Sequence, residues 1–213
     1  MNRVIRDRIS AGRRAFHAVQ GLGSQAVPLS PVTASNLYWN IAVPKMAYGA
    51  QVLSSNVFDC ELEKAHTAAA KQIQGLPNQC ANVCIATLGW MSVVTYVEIL
   101  RIVFLWRLLL QPTSSPYKKV AISRVVYHLY CHENGKHIGP TQTIIQAYEK
   151  YGLLEMLYSA LETGVLMPLN KFKSHIKQVV WTVEIKRYIA TCLLYKSIPN
   201  IVNSDMSISM WCW

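Results

Sequence analysis

Acidic residues are scarce in this chain. Eleven Asp and Glu stand against twenty-one Lys and Arg in 213 residues, a formal net charge of +10, and the only aspartates are Asp7, Asp59 and Asp205. Two-metal nucleotidyl or phosphoryl chemistry needs at least two carboxylates converging on one site to hold the ions and fix in-line geometry. Three scattered aspartates do not supply that, and no aromatic-x-Asp-Asp tetrapeptide occurs. A phosphate-cradling loop is missing as well, because Gly21-Leu22-Gly23 has neither a third glycine nor a following Lys-Ser/Thr. Nor is there a long uncharged apolar run. Met91 to Leu110 comes nearest, but Glu98, Arg101 and Arg107 interrupt it, each costing about 2.5 to 3.5 kcal/mol at a bilayer centre. A buried helix is the expectation there, with no membrane span.

What is present describes a globular, basic chain. With 52% hydrophobic and 15% charged residues it buries a core, and its length suits one large or two small domains. The positive balance suits a polyanionic partner through phosphate neutralisation and counterion release. The first fourteen residues carry Arg3, Arg6, Arg8, Arg13 and Arg14 with no apolar segment after them, which is not a secretory signal. An amphipathic transit peptide fits poorly because Asp7 intrudes. Six dispersed cysteines then read as reduced thiols of an intracellular protein, nucleus or cytoplasm unresolved.

Periodicity predicts an all-α fold, an irregular helical bundle. A first helix over about 4–19 turns Ile5, Ile9 and Phe16 to one face and arginines to the other. A second starts at Ser30-Pro31 and carries Leu37, Tyr38, Ile41 and Met46 inward, with a kink expected at Pro44. After a turn at 54–56, a third runs from about Val57 to Ile73, acidic early and basic late as the helix dipole favours, closed by Gly75 and Pro77. A fourth spans 93–110, where Glu98 and Arg101 can pair at i, i+3. Residues 112–116 read as a linker between a region 1–111 and a helical region 117–199, with 200–213 as a disordered tail. Helices are expected over 117–129, 141–151, 153–163 and 171–195, the last rich enough in β-branched residues to hold a strand instead.

The stretch from Leu37 to Trp90 carries a spacing that goes beyond periodicity: Pro44, Tyr48 and Gly49, then Leu62, Glu63, Lys71, Ile73, Gly75, Leu76 and Pro77, then Leu88 and Gly89. It resembles the segment that follows the polymerase core in reverse transcriptases of LINE-type retrotransposons. Arg6, Ile9, Arg13, Arg14, Ala15 and Phe16 likewise resemble the first helix of the thumb, so the likeness covers roughly residues 1 to 110. The resemblance implies a thumb-like helical region without the catalytic palm, hence no polymerase activity, and helices that lie along a nucleic-acid backbone.

Candidate contacts to RNA or DNA phosphates follow on three helices: Arg3, Arg6, Arg13 and Arg14; Lys118, Lys119 and Arg124; and Lys171, Lys173 and Lys177. Such charges would position a backbone and carry no base code. A solvated helix face explains them equally well, and a helical protein-interaction domain is the rival reading. Tyr38, Trp39, Trp90, Tyr96, Trp106 and Trp181 could stack on bases, but beside Leu and Ile at helical spacing they belong to a core. Cys80 and Cys84, with His128, Cys131, His132 and His137, are conceivable zinc ligands. Their spacing departs from a tight Cys-x-x-Cys knuckle, and core thiols and loop histidines are the better reading. Cys131 beside His132 lacks the flanking glycines of a nucleophilic site. No cofactor, metal or small-molecule substrate is expected.

Overall fold

The computed structural model describes residues 3–20, 29–53, 56–80, 84–130 and 139–193. Every regular element among them is helical, and no strand occurs among the described residues. In chain order the α-helices are α1 (Arg3–Gln20), α2 (Pro31–Leu37), α3 (Val43–Ala47), α4 (Asn56–Ile73), α5 (Cys84–Thr87), α6 (Val93–Leu109), α7 (Pro116–Tyr130), α8 (Pro140–Lys150), α9 (Leu154–Thr163) and α10 (Leu169–Leu193), with a π-helical turn, Tyr38–Ala42, between α2 and α3. The strand considered for the last segment is helix throughout 169–193. Residues 21–28, the serines at 54 and 55 and the tail lie outside the described residues; Asn56, expected in a turn, opens α4.

Two compact units divide the chain, one drawn from Met1–Tyr48, Ser55–Tyr96 and Ile185–Trp213, the other from Gly49–Ser54 and Val97–Glu184. The segment 112–116, expected as a linker between regions, lies within the second unit, where it turns α6 into α7 with Ser115 N–H on the Pro112 carbonyl at 2.9 Å.

In the first unit α1 packs on α3, on the π-helical turn and on α4. Ile5, Ile9 and Phe16 are buried as their spacing demands. Between them Gly12 is required by proximity, since a Cβ there would lie 1.9 Å from the Met46 Cγ. Ser30 caps α2 by accepting the Thr33 N–H at 3.2 Å, with Pro31 in the first turn. The kink expected at Pro44 takes a specific form. Pro44 has no amide hydrogen to give, and one residue before it the helix widens, with the Val43 N–H reaching the Tyr38 carbonyl five residues back.

Helix α4 ends as its sequence predicts. Gly75 takes φ +65°, the Leu76 N–H bonds the Lys71 carbonyl at 2.8 Å and the Gly75 N–H bonds that of Gln72 at 3.2 Å, a Schellman closure. Lys71 Nζ then reaches over the turn to the Asn78 carbonyl at 2.9 Å. The start of α6 is held from outside: Ser92 Oγ accepts the Val94 N–H at 3.1 Å and donates to the Glu63 carboxylate at 2.7 Å. An anion there also complements the helix dipole.

The second unit has its own core around Ile102, Trp106, Tyr148, Leu157, Phe172 and Ile176. Trp106 stacks on Phe172 with ring centroids 3.9 Å apart, and its indole N–H donates to the Met167 carbonyl at 3.0 Å. Two of the three charges in α6 are absorbed here. Glu98 accepts Lys150 Nζ at 2.6 Å and the Tyr151 hydroxyl at 2.6 Å. Buried Arg101 donates to the Leu53 carbonyl at 2.8 Å and that of Ala50 at 3.4 Å. Each thus has longer-range partners than the i, i+3 pairing read from sequence. No helix among the described residues is long and apolar enough to cross a membrane.

Candidate nucleic-acid interface

The three basic groups fare differently once placed on their helices. At 100° per residue, Arg3, Arg6, Arg13 and Arg14 fall in one sector about 100° wide, centred about 110° around α1 from Ile5, Ile9 and Phe16. All four are exposed, and His17 is exposed in the same sector. Asp7 is the one acid on the helix, 4.0 Å from the Arg3 Nε in a solvent-exposed pair whose net worth is small. Arg8 leaves this row: it is half-buried and sits 4.6 Å over the Tyr48 ring, a cation–π contact worth about 0.5 to 1 kcal/mol.

No such row forms on the other two helices. Lys118 and Lys119 lie about 120° and 140° around α7 from Arg124, and Lys171 lies about 120° around α10 from Lys177. Lys119, Arg124, Lys171 and Lys177 are exposed, Lys118 and Lys173 half-buried. The α1 group belongs to the first unit, the α7 and α10 groups to the second.

Beside the α1 row runs a groove of about 300 Å³ that the sequence did not announce. Gly12, Phe16, Tyr38 and Met46 line it with Ala65, Ala68 and Ala69 of α4, and Arg13, His17 and Gln72 stand along it. The small residues of the Ala-rich α4 face open this space. Local periodicity reads that stretch only as helix.

Below the groove is a buried aromatic cluster. Tyr38 stacks on Trp90 at 4.8 Å with rings 3° from parallel, and Trp39 packs edge-on to both Trp90 and His66. The Met91 carbonyl, 2.9 Å from His66 Nε2, can only accept, so Nε2 carries the proton and Nδ1 accepts the Tyr38 hydroxyl at 3.0 Å. Burial pushes the His66 pKa down to about 4, a shift its bond to Met91 partly offsets, and pushes the Tyr38 hydroxyl well up. His66 is therefore neutral at physiological pH and serves the core. Of the six aromatics weighed as stacking platforms, Tyr38, Trp90 and Trp106 are buried and Trp39, Tyr96 and Trp181 half-buried.

Among the described residues no three His, Cys, Asp or Glu side chains gather as a metal site would require. Cys84 is buried with its thiol pKa raised, chiefly by burial, against a smaller opposing pull from Lys71, the setting of an unreactive thiol. His128 is buried in α7; Cys131, His132, His137 and Asp205 lie outside the described residues.

Comparison with protein-family models, with curated proteins and with solved structures gives no match.

Most of the residues singled out by their spacing between 44 and 89 have identifiable structural tasks in this chain. Pro44 follows the π-helical turn, Tyr48 receives Arg8, Leu62 is buried, Glu63 holds the start of α6, and Lys71, Gly75 and Leu76 close α4. After Leu88-Gly89 the Trp90 N–H bonds the Ile85 carbonyl at 3.0 Å, turning the chain toward α6.

Proposed function

We propose that this chain is a non-catalytic, thumb-like relative of LINE-type reverse transcriptases that binds RNA or DNA backbones without reading sequence. The observation that carries the reading is the α1 row: four exposed arginines in one sector against a single acid. Arginine stays charged at any physiological pH and forks onto phosphate oxygens. The groove at the edge of the row is lined mostly by apolar side chains, with Arg13 at its margin, so the phosphate contacts fall to the arginine row. Fluorescence anisotropy on a panel of unrelated duplex and single-stranded oligonucleotides tests it. Affinities within a few-fold of one another across sequences of equal length and strandedness support the reading, and strong preference for one sequence, or no binding, removes it. The same preparation is expected to extend no primer on an RNA or DNA template with magnesium or manganese. Incorporation that co-purifies with the protein and is abolished by Asp7→Ala, Asp59→Ala or Asp205→Ala would end the non-catalytic part of the proposal.

A helical protein-interaction domain is the second reading. The dispersion of charge around α7 and α10 favours it, together with exposed apolar side chains on α7.

A further inference from the structure

We propose that the groove along α7 in the second unit is a docking site for an acidic amphipathic helix of a partner protein. Tyr117, Val120, Arg124 and Tyr127 follow one another at i, i+3, i+7 and i+10, which sets them on one side of α7 over a length of about 15 Å. Tyr117, Val120 and Tyr127 are 72%, 60% and 54% exposed, an unusual cost for three large apolar groups in a row on a surface that binds nothing. They border a cavity of about 750 Å³ whose other walls include Phe104 and Leu108 of α6, Ile144 of α8 and Val52. The lining is largely apolar, and Tyr117, Val120, Arg124 and Tyr127 run about 15 Å along it. An apolar row of that length accepts a ridge of apolar side chains spaced at i, i+4 and i+7 on an incoming helix.

The charge of the partner follows from what surrounds the groove. Among the described residues of 99–148 the Lys and Arg are Arg101, Arg107, Lys118, Lys119 and Arg124, and no Asp or Glu occurs before Glu149. Arg101 is engaged with the Ala50 and Leu53 carbonyls, but Arg107 and Arg124 are exposed, Arg124 on the groove wall itself. An acidic flank on the incoming helix meets this field, and a basic one is repelled by it. A polynucleotide fits less well, because it needs cations repeated along its path and Lys118 and Lys119 point elsewhere around α7. The proposal does not depend on the α1 arginines.

The test uses the full chain and three labelled synthetic peptides of about 16 residues, long enough for four helical turns. One carries Leu at i, i+4, i+7 and i+11 with Glu elsewhere, one replaces each Glu by Lys, and one scatters the leucines of the first. Anisotropy is expected to show the acidic amphipathic peptide binding at least about tenfold tighter than the other two. Val120→Glu should abolish that binding and Arg124→Glu should transfer preference to the Lys peptide, while Arg6, Arg13 and Arg14 changed together to Gln should leave it unchanged. Both substituted side chains are exposed, and circular dichroism checks that each variant folds. Equal binding of the scattered peptide, or indifference to both Val120→Glu and Arg124→Glu, overturns the proposal. So does either rival occupant: a single-stranded oligonucleotide, or a second copy of this chain seen by sedimentation, that Val120→Glu displaces and the acidic peptide does not compete for.

Discussion

His66 shows how one residue couples the core to pH. Its folded pKa is about 4 against an ordinary 6.5, so between those values the unfolded chain binds a proton that the folded chain refuses. Stability is then full above about pH 6.5, falls as the pH drops toward 4, and levels off below. The window is worth roughly 3 kcal/mol at most. Urea midpoints measured from pH 7 to 4 should fall for the native chain and fall less for His66→Gln, which cannot titrate. Parallel curves for the two proteins would place the acid sensitivity elsewhere. Gly75 makes a second case, in which the backbone alone decides. A Cβ at Gly75 would meet nothing within 4 Å, but φ is +65°, so Gly75→Val should cost about 1 to 2 kcal/mol and Gly75→Asn distinctly less. Equal urea midpoints for the two variants would mean the left-handed turn is not what closes α4.

At the scale of elements, Arg101 ties α6 to the segment 49–53 through two backbone carbonyls. Arg101→Met keeps much of the apolar stem and strands those acceptors, so a loss of about 2 kcal/mol or more is expected in urea titration. Protection of amides in 49–53 should fall first by hydrogen exchange, and a variant as stable as the native chain would show that the tie is dispensable. This contact also marks the boundary of what the sequence could disclose. Helix starts and stops were legible because their causes are local: Ser30-Pro31 opens α2, Gly75 and Pro77 end α4, and Pro44 disturbs the helix around it. The π-helical form of that disturbance was not legible. Nor were the partners of Glu98 and Arg101, because Lys150 and Leu53 lie about fifty residues away in sequence and only the fold brings them near. The division into units shares that origin, since residues 49–54 join the second unit through contacts that no composition shift announces.

For the whole molecule, the formal charge of +10 gives no position on the surface. Helix placement supplies it: an arginine row on α1, scattered cations on α7 and α10, and beside α7 an apolar groove that no charge pattern could reveal. Four arginines share one sector of α1, a grouping visible in their spacing, whereas Lys171 lies about 120° around α10 from Lys177. On the proposed function, α1 holds nucleic acid through phosphates alone. The most direct measurement of this is the slope of log K against log salt on duplex DNA for the native chain and for Arg6, Arg13 and Arg14 changed together to Gln. Each lost phosphate contact removes about 0.9 from the slope. The expected native slope is negative and flattens by up to about 3 in the variant, with affinity lowered to a similar degree on every sequence tested. A folded variant with unchanged affinity and slope would contradict it.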